Sequence, residues 1–193
     1  MTQPSSESTI EMRLAMGLAT AEAYNSAELE SVVIHLFDRF NARLSRYVVA
    51  FGLPLHDAED IVQETFLSLF HHLERGRPTW NLNGWLFRVA HNLALKRRKA
   101  NQSSSIEHDH EELLAQHPDP AHNAEEQFAF TQTQRQLRAV FETLPEIDRR
   151  CLHLRAEGLK YREIAKALGI SLGAVSLSLS RSFTRMNRAA EVN

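Results

Sequence analysis

An all-α fold, arranged as two helical domains joined by a flexible acidic linker, is what the sequence predicts, and three observations carry that expectation. Apolar residues recur at three-and-four spacing on both sides of the chain's midpoint, as helices with one buried stripe require. No segment shows the convincing apolar–polar alternation of a half-buried strand. The run NQSSSIEHDHEELLAQHPDPAHN, residues 101–123, contains no Lys or Arg and separates two blocks of helical pattern.

At 193 residues, 43% apolar and 24% charged, the chain has the composition of an ordinary globular protein of one domain or two small ones. A net charge of -2 argues against a protein that coats nucleic acid through bulk charge, so any such contact must come from local basic patches. The single cysteine, Cys151, can form neither an internal disulfide nor a Cys-rich zinc site, and is expected to be a small apolar residue in a helix. No apolar run approaches the ~20 residues needed to span a bilayer. The opening MTQPSSESTIEMRLAM lacks a basic start followed by an apolar stretch, so a cytoplasmic protein with no membrane insertion is expected.

Residues 1–27 form an N-terminal extension, Ser-rich and then MRLAMGLATAEAY, a weakly amphipathic stretch with little to anchor it. From Glu28 the apolar positions Leu29, Val32, Val33, Leu36, Phe37, Phe40, Leu44, Tyr47, Val48 and Phe51 predict one helix, ended by Gly52 and Pro54. HDAEDIVQETFLSLFHHL predicts a second helix with Asp57 as N-cap and a seam of Ile61, Val62, Phe66, Leu69, Phe70 and Leu73. After the loop ERGRPTWNLNG, WLFRVAHNLALKRRKA predicts a third helix with Trp85, Leu86, Val89 and Leu93 on its apolar face, closing a first domain over residues 28–100.

The linker over 101–123 holds His108, His110, His117 and His122, but no helical register sets them as a ligand cage, so it is expected to be solvated and free of metal. Residues 124–193 form the second domain. A helix passes through Phe128, Leu137, Val140, Phe141 and Leu144, Pro145 opens another at EIDRRCLHLRAEG, and a tight pair of helices follows.

That pair is YREIAKALGISLGAVSLSL. Ile164, Ala165 and Leu168 form the buried face of its first helix, Gly169 suits a turn position that needs positive φ, and Ile170 plugs the corner. Ser171 is a natural N-cap, and Val175 and Leu179 turn the second helix's apolar side inward. This is a helix-turn-helix. Its outward face offers Gly173, Ser176, Leu177, Ser180, Arg181 and Thr184, whose hydroxyls can meet base edges or phosphates and whose Leu177 can touch a thymine methyl. Lys160, Arg162, Lys166, Arg181, Arg185 and Arg188 ring that face with charge suited to phosphates, against only Glu157 and Glu163. DNA binding is indicated, with a trihelical interaction module that has lost DNA contact as the alternative.

Two further constellations lie in the first domain. DAEDIVQETF sets Asp57, Asp60 and Glu64 on one side of a helix with Glu59 and Gln63 beside them, an arrangement that repels itself unless something cationic answers it. A solvated face, a carboxylate metal site and a docking surface for a basic partner all fit, although no Glu-x-x-His pair accompanies these acids, as a di-metal bundle would want. The third helix inverts the charge, with Arg88, Lys96, Arg97, Arg98 and Lys99 and no acid over 85–100. Just before it GRPTWNLNGWLF places Trp80, Trp85 and Phe87 beside Arg77, Asn81 and Asn83, ingredients for holding unstacked bases at ~1–3 kcal/mol each, although Trp85 suits the core as well.

Together, DAEDIVQETFLSLF, NLNGWLFRVAHNLALKRRK, the acidic linker and LPEIDRRCLHLRAEGLKYREIAKALGISLGAVSLSLSR resemble a bacterial RNA polymerase sigma factor of the sigma-70 superfamily, extracytoplasmic-function (group IV) type, over residues 29–188. The resemblance implies that Asp57, Asp60, Gln63, Glu64 and Phe66 contact core RNA polymerase. Trp80, Asn83, Arg88, Asn92, Lys96 and Arg97 would hold the minus-10 promoter strand, and Ser171, Ser176, Leu177, Ser180, Arg181 and Arg185 would meet the minus-35 element. It implies no catalytic residue, no cofactor and no metal, and adds an anti-sigma factor to core polymerase and promoter DNA as a candidate partner. The family commonly has Lys or Arg where this chain has Ser176, Ser178 and Phe183, which should flatten the salt dependence of upstream binding. Two other readings stay open: a sigma-like mimic that binds an anti-sigma factor, and an ordinary helix-turn-helix regulator.

Overall fold

The computed structural model describes residues 26–78, 81–103 and 124–190, all helices and short turns. The motifs above that fall on residues 1–25, Thr79, Trp80 and 104–123, including most of the linker and its four histidines, lie outside the described residues. Seven helices are described: α1 Ser26–Val49, α2 Leu55–Glu74, α3 Leu82–Ser103, α4 Ala124–Thr143, α5 Glu146–Ala156, α6 Tyr161–Leu168 and α7 Leu172–Ala190. Chain contacts divide the molecule into two compact units.

The first unit is a three-helix bundle. Leu29, Val32, Leu36, Phe40, Leu44, Tyr47 and Val48 line the buried stripe of α1, and Ile61, Val62, Phe66, Leu69 and Leu73 answer from α2, as the spacing predicts. Side-chain pairs fix the directions: Arg43 lies over Phe87 and Tyr47 bonds His91, so α1 and α3 run parallel, while Asp57 meets Arg97 and His72 meets Trp85, so α2 runs against α3. At the centre the Tyr47 hydroxyl and His91 Nδ1 share a 2.8 Å hydrogen bond inside a cluster with Phe51 and Phe87.

Three expectations for this unit need correction. Pro54, not Asp57, occupies the N-cap of α2, and Asp57 sits in the first turn, buried. A proline's fixed φ suits that entry, and the buried acid has cationic and amide partners elsewhere. Helix α3 starts at Leu82, ahead of the expected Trp85, because Asn81 caps it: its Oδ1 accepts the Gly84 N–H at 3.2 Å. A Cβ at Gly84 would lie 2.8 Å from Asn81 Nδ2, so a larger residue there would have to push the capping side chain aside. The buried face of α3 is also turned from the expected one: Leu82, Leu86, Phe87, Ala90, His91 and Ala94 face the core, while Trp85, Val89 and Leu93 are half-buried. Small Ala90 and Ala94 admit close helix approach, and His91 joins the core because Tyr47 satisfies it.

In the second unit α7 packs against α4 and α5. Phe141 of α4 stacks on His153 of α5 at 5.0 Å, and Leu144, Cys151, Leu154, Val175 and Leu179 are buried. The turn between α6 and α7 follows the expected chemistry, with Gly169 at φ 67° and the Ile170 N–H bonded to the Ala165 carbonyl. Ser171 Oγ accepts the Ala174 N–H at 3.1 Å and caps α7. On α6 the buried positions are Ile164 and Ala167, whereas Ala165 and Leu168 are half-buried.

Candidate nucleic-acid interface

On α2 the exposed residues Glu59, Asp60, Gln63 and Glu64 form one polar, acidic face. Asp57 and Phe66 are not part of it. The Asp57 carboxylate accepts from Arg97 and from Asn101 Nδ2, the latter at 2.9 Å, and Phe66 packs against Phe37 with ring centroids 4.9 Å apart. Both side chains are buried in the bundle.

On α3 Arg88, Asn92 and Lys96 are exposed at four-residue intervals, so they make a single stripe along the helix. Arg97 lies beside this stripe but is held by Asp57, with Asp60 3.8 Å away. Asn83 is half-buried, and its Oδ1 is enclosed with no hydrogen-bond partner. Trp85 is half-buried against His72, with ring centroids 4.6 Å apart, which answers the choice between core and base platform with a position at the bundle's rim.

On α7 the outward face is as expected: Ser176, Leu177, Ser180, Arg181, Thr184 and Arg185 are exposed, Leu177 at 58%. Ser171 is exposed too, but its hydroxyl oxygen is engaged in the cap. Ser178 and Ser182 face inward, and the Ser182 hydroxyl donates to the Ser178 carbonyl at 2.8 Å. The position of Ser178 therefore offers no base contact in this chain. Burial pushes the neighbouring Cys151 thiol above its ordinary value, the Asp148 charge adds to that, and a hydrogen bond with Ser178 opposes it. The thiol stays protonated and acts as a packing group.

Arg181 reaches back to Asp148, a buried acid in the first turn of α5, at 3.1 and 3.4 Å. Its side chain remains 55% exposed, so N–H groups are left over for a phosphate. Arg185 and Arg188 border a shallow cleft with Val140 and Thr143 of α4. Lys160, Arg162 and Lys166 are exposed on or beside α6.

Asp148 and His72 are not singled out by the sequence pattern, and Asn81, expected beside unstacked bases, is the cap of α3. The signal for the first was available: both Pro54-Leu55-His56-Asp57 and Pro145-Glu146-Ile147-Asp148 put an acid three residues after a helix-capping proline. Among the described residues no group of three His, Cys, Asp or Glu side chains converges to hold a metal, and no single helix is long and apolar enough to cross a membrane.

An all-α chain with an acidic helix face, a basic stripe and a capped helix-turn-helix belongs to the class of DNA-binding transcription proteins. Family models of Sigma-70 region 2 and Sigma-70 region 4 match residues 36–104 and 134–186. The ECF RNA polymerase sigma factor SigE of Mycolicibacterium smegmatis is 33% identical over 130 residues, covering 65% of this chain and 49% of its own length. The RNA polymerase sigma factor NccH of Alcaligenes xylosoxydans xylosoxydans is 25% identical over 198 residues, covering 96% of this chain and 95% of its own. Among solved structures, the sigma factor RpoE of Bartonella quintana, in complex with the anti-sigma factor NepR, aligns with a TM-score of 0.55 at 20% identity, over 82% of this chain and 98% of that one, a likeness of fold. The chain belongs to the sigma-70 family, as a sigma factor of the extracytoplasmic-function type, and it is not an enzyme.

Proposed function

We propose that this protein binds core RNA polymerase in the cytoplasm and directs it to promoters, with residues 28–100 docking on the enzyme and opening the duplex and residues 124–193 recognising the upstream element. The observation that carries the proposal is the separation of charge in the first unit: an exposed acidic face on α2 and an exposed cationic stripe on α3. A protein that only sequesters an anti-sigma factor has no need of that stripe, and an ordinary repressor has no need of the acidic face.

Asp60, Gln63 and Glu64 would meet core polymerase. Trp80, Asn83, Arg88, Asn92 and Lys96 would hold the minus-10 strand, where binding of extruded bases offsets the unstacking energy. Arg97, engaged with Asp57, would support that surface from behind. Ser176, Leu177, Ser180, Arg181 and Arg185 would meet the minus-35 element, with serine hydroxyls and the Leu177 side chain reading bases and the arginines fixing phosphates. An anti-sigma factor is a candidate regulator by analogy with the RpoE–NepR complex.

The test is transcription in vitro: core polymerase from a related bacterium, fragmented host DNA and the full chain, with the 5′ ends of transcripts sequenced. Starts that appear only with the protein and share a two-part upstream motif are expected. Binding to core polymerase without specific starts would instead favour the mimic.

A further inference from the structure

The exposed face of α7 is built from short side chains: Ser176 and Ser180, with Leu177 between them. A long Lys or Arg side chain bends to meet a base or phosphate that is slightly displaced, whereas a serine hydroxyl or a leucine methyl meets its target only when the helix itself lies in the correct register. Such a face needs an anchor. Arg181 is the first cation of α7 and follows Leu177 by one turn on the same row of the helix. Its guanidinium is held from below by Asp148, an acid only 2% exposed in the first turn of α5, where the helix dipole favours it and its backbone N–H bonds the Pro145 carbonyl at 2.9 Å. Both Asp148 oxygens accept from a single Arg181 nitrogen, Nη2, at 3.1 and 3.4 Å, which leaves Nε and Nη1 for another acceptor.

We propose that Asp148 is a positioning residue for DNA reading: by fixing the Arg181 guanidinium it sets which phosphate anchors α7, and so the register in which Ser176, Leu177 and Ser180 meet the bases. The proposal rests on the upstream-recognition reading above and adds to it a buried acid that itself touches no DNA. Two effects of this acid oppose each other. Its charge lowers the attraction of any duplex, because it offsets one of the cations that neutralise phosphates. Its hold on Arg181 favours only the duplex whose phosphate lies where the guanidinium is fixed, since phosphate contacts set register and a locked side chain sets it sharply. The result is a gain in discrimination together with a lower general affinity, a combination that a group acting only on the fold does not produce.

Holoenzymes of core polymerase with each full-length variant are titrated with two fragments: a promoter recovered from the transcription experiment, and the same fragment with its upstream element scrambled. Asp148→Ala removes the partner of Arg181, while Asp148→Asn keeps the volume and one acceptor but loses the charge. Each is made alone and together with Arg181→Ala, and thermal unfolding of every chain is recorded. Expected with Arg181 present is a roughly three- to tenfold fall in the ratio of promoter to scrambled affinity for Asp148→Ala, a smaller fall for Asp148→Asn, and scrambled-fragment affinity unchanged or raised. With Arg181→Ala already in place, neither change at Asp148 alters the ratio further. Should Asp148→Ala not fold, Asp148→Asn carries the comparison. A ratio that ignores both Asp148 changes would overturn the proposal, as would an equal fall with and without Arg181, or a loss on both fragments in step with thermal stability, either of which marks a residue needed only for folding. An unmodified holoenzyme that does not distinguish the two fragments would overturn the upstream-recognition reading itself and the positioning role with it.

Discussion

The two units use the same device and put it to different ends. In each, a proline caps a helix and the acid three residues later is buried against an arginine from the unit's cationic helix: Asp57 with Arg97, and Asp148 with Arg181. The first pair is closed. Arg97 is 35% exposed and has a second acid, Asp60, nearby, while Asp57 also accepts from Asn101. The second pair is open, with Arg181 at 55% exposure and an acid that orients it from below. A buried carboxylate holding one edge of a guanidinium leaves its other donors aimed outward, which turns a structural ion pair into a preset phosphate contact when the arginine stays accessible. Identical residue types thus serve packing in the first unit and, on our reading, recognition in the second.

The largest effect expected follows from the closed pair. Asp57→Ala strands Arg97 and removes the Asn101 contact, and should lower the stability of the first unit by about 2–4 kcal/mol in urea denaturation, below the full cost of breaking a wholly buried pair because Arg97 is partly solvated. A cost under about 0.5 kcal/mol would break the contrast from that side. Next come the arginines themselves. Arg181→Ala should weaken duplex binding and make its log–log salt dependence shallower by about 0.9, whereas Arg97→Ala should leave the slope of upstream-element binding unchanged. Equal changes in slope would mean that the two pairs do not differ in role.

A smaller effect is expected at the cap of the recognition helix. Ser171→Ala should cost the second unit about 1 kcal/mol by thermal unfolding, with a loss of DNA affinity that follows the helix end rather than a base contact. If affinity falls with no change in stability, Ser171 touches DNA directly. Smallest is the pH response of the α4–α5 contact. Burial holds His153 below its ordinary value of 6.5, so the unfolded chain takes up this proton first as pH falls. The contribution of His153 to stability should be complete above pH 6.5 and decline as pH drops from there toward the folded-state value. His153→Phe should flatten unfolding midpoints across that window, and an unchanged slope would assign it to another group.

Much of this was legible in the sequence because it depends on local patterns. The stripes of α1 and α2, the left-handed Gly169, the Ser171 cap and the inward Val175 and Leu179 follow from spacing and turn chemistry alone. The face of α3 did not, because the large apolar residues Trp85, Val89 and Leu93 lie at the rim, while the core-facing positions include two alanines and a histidine whose partner Tyr47 is far away in sequence. Asp57 failed for the same reason. Its pattern suited a cap or an exposed acid equally well, and its pairing with Arg97 is a long-range fact of packing. Phe66 sits on the seam by spacing, and the family resemblance alone had moved it to the docking face.

The division of labour between the units can be put to one direct test: titration of core RNA polymerase with the full chain, Glu64→Lys and Arg181→Ala, each labelled at the same exposed site. The account predicts that Glu64→Lys weakens docking by roughly tenfold or more, since one repulsive charge at a complementary interface costs upward of about 1.4 kcal/mol, and that Arg181→Ala docks like the unmodified chain. Docking that survives Glu64→Lys unchanged, or that depends on Arg181 instead, would contradict it.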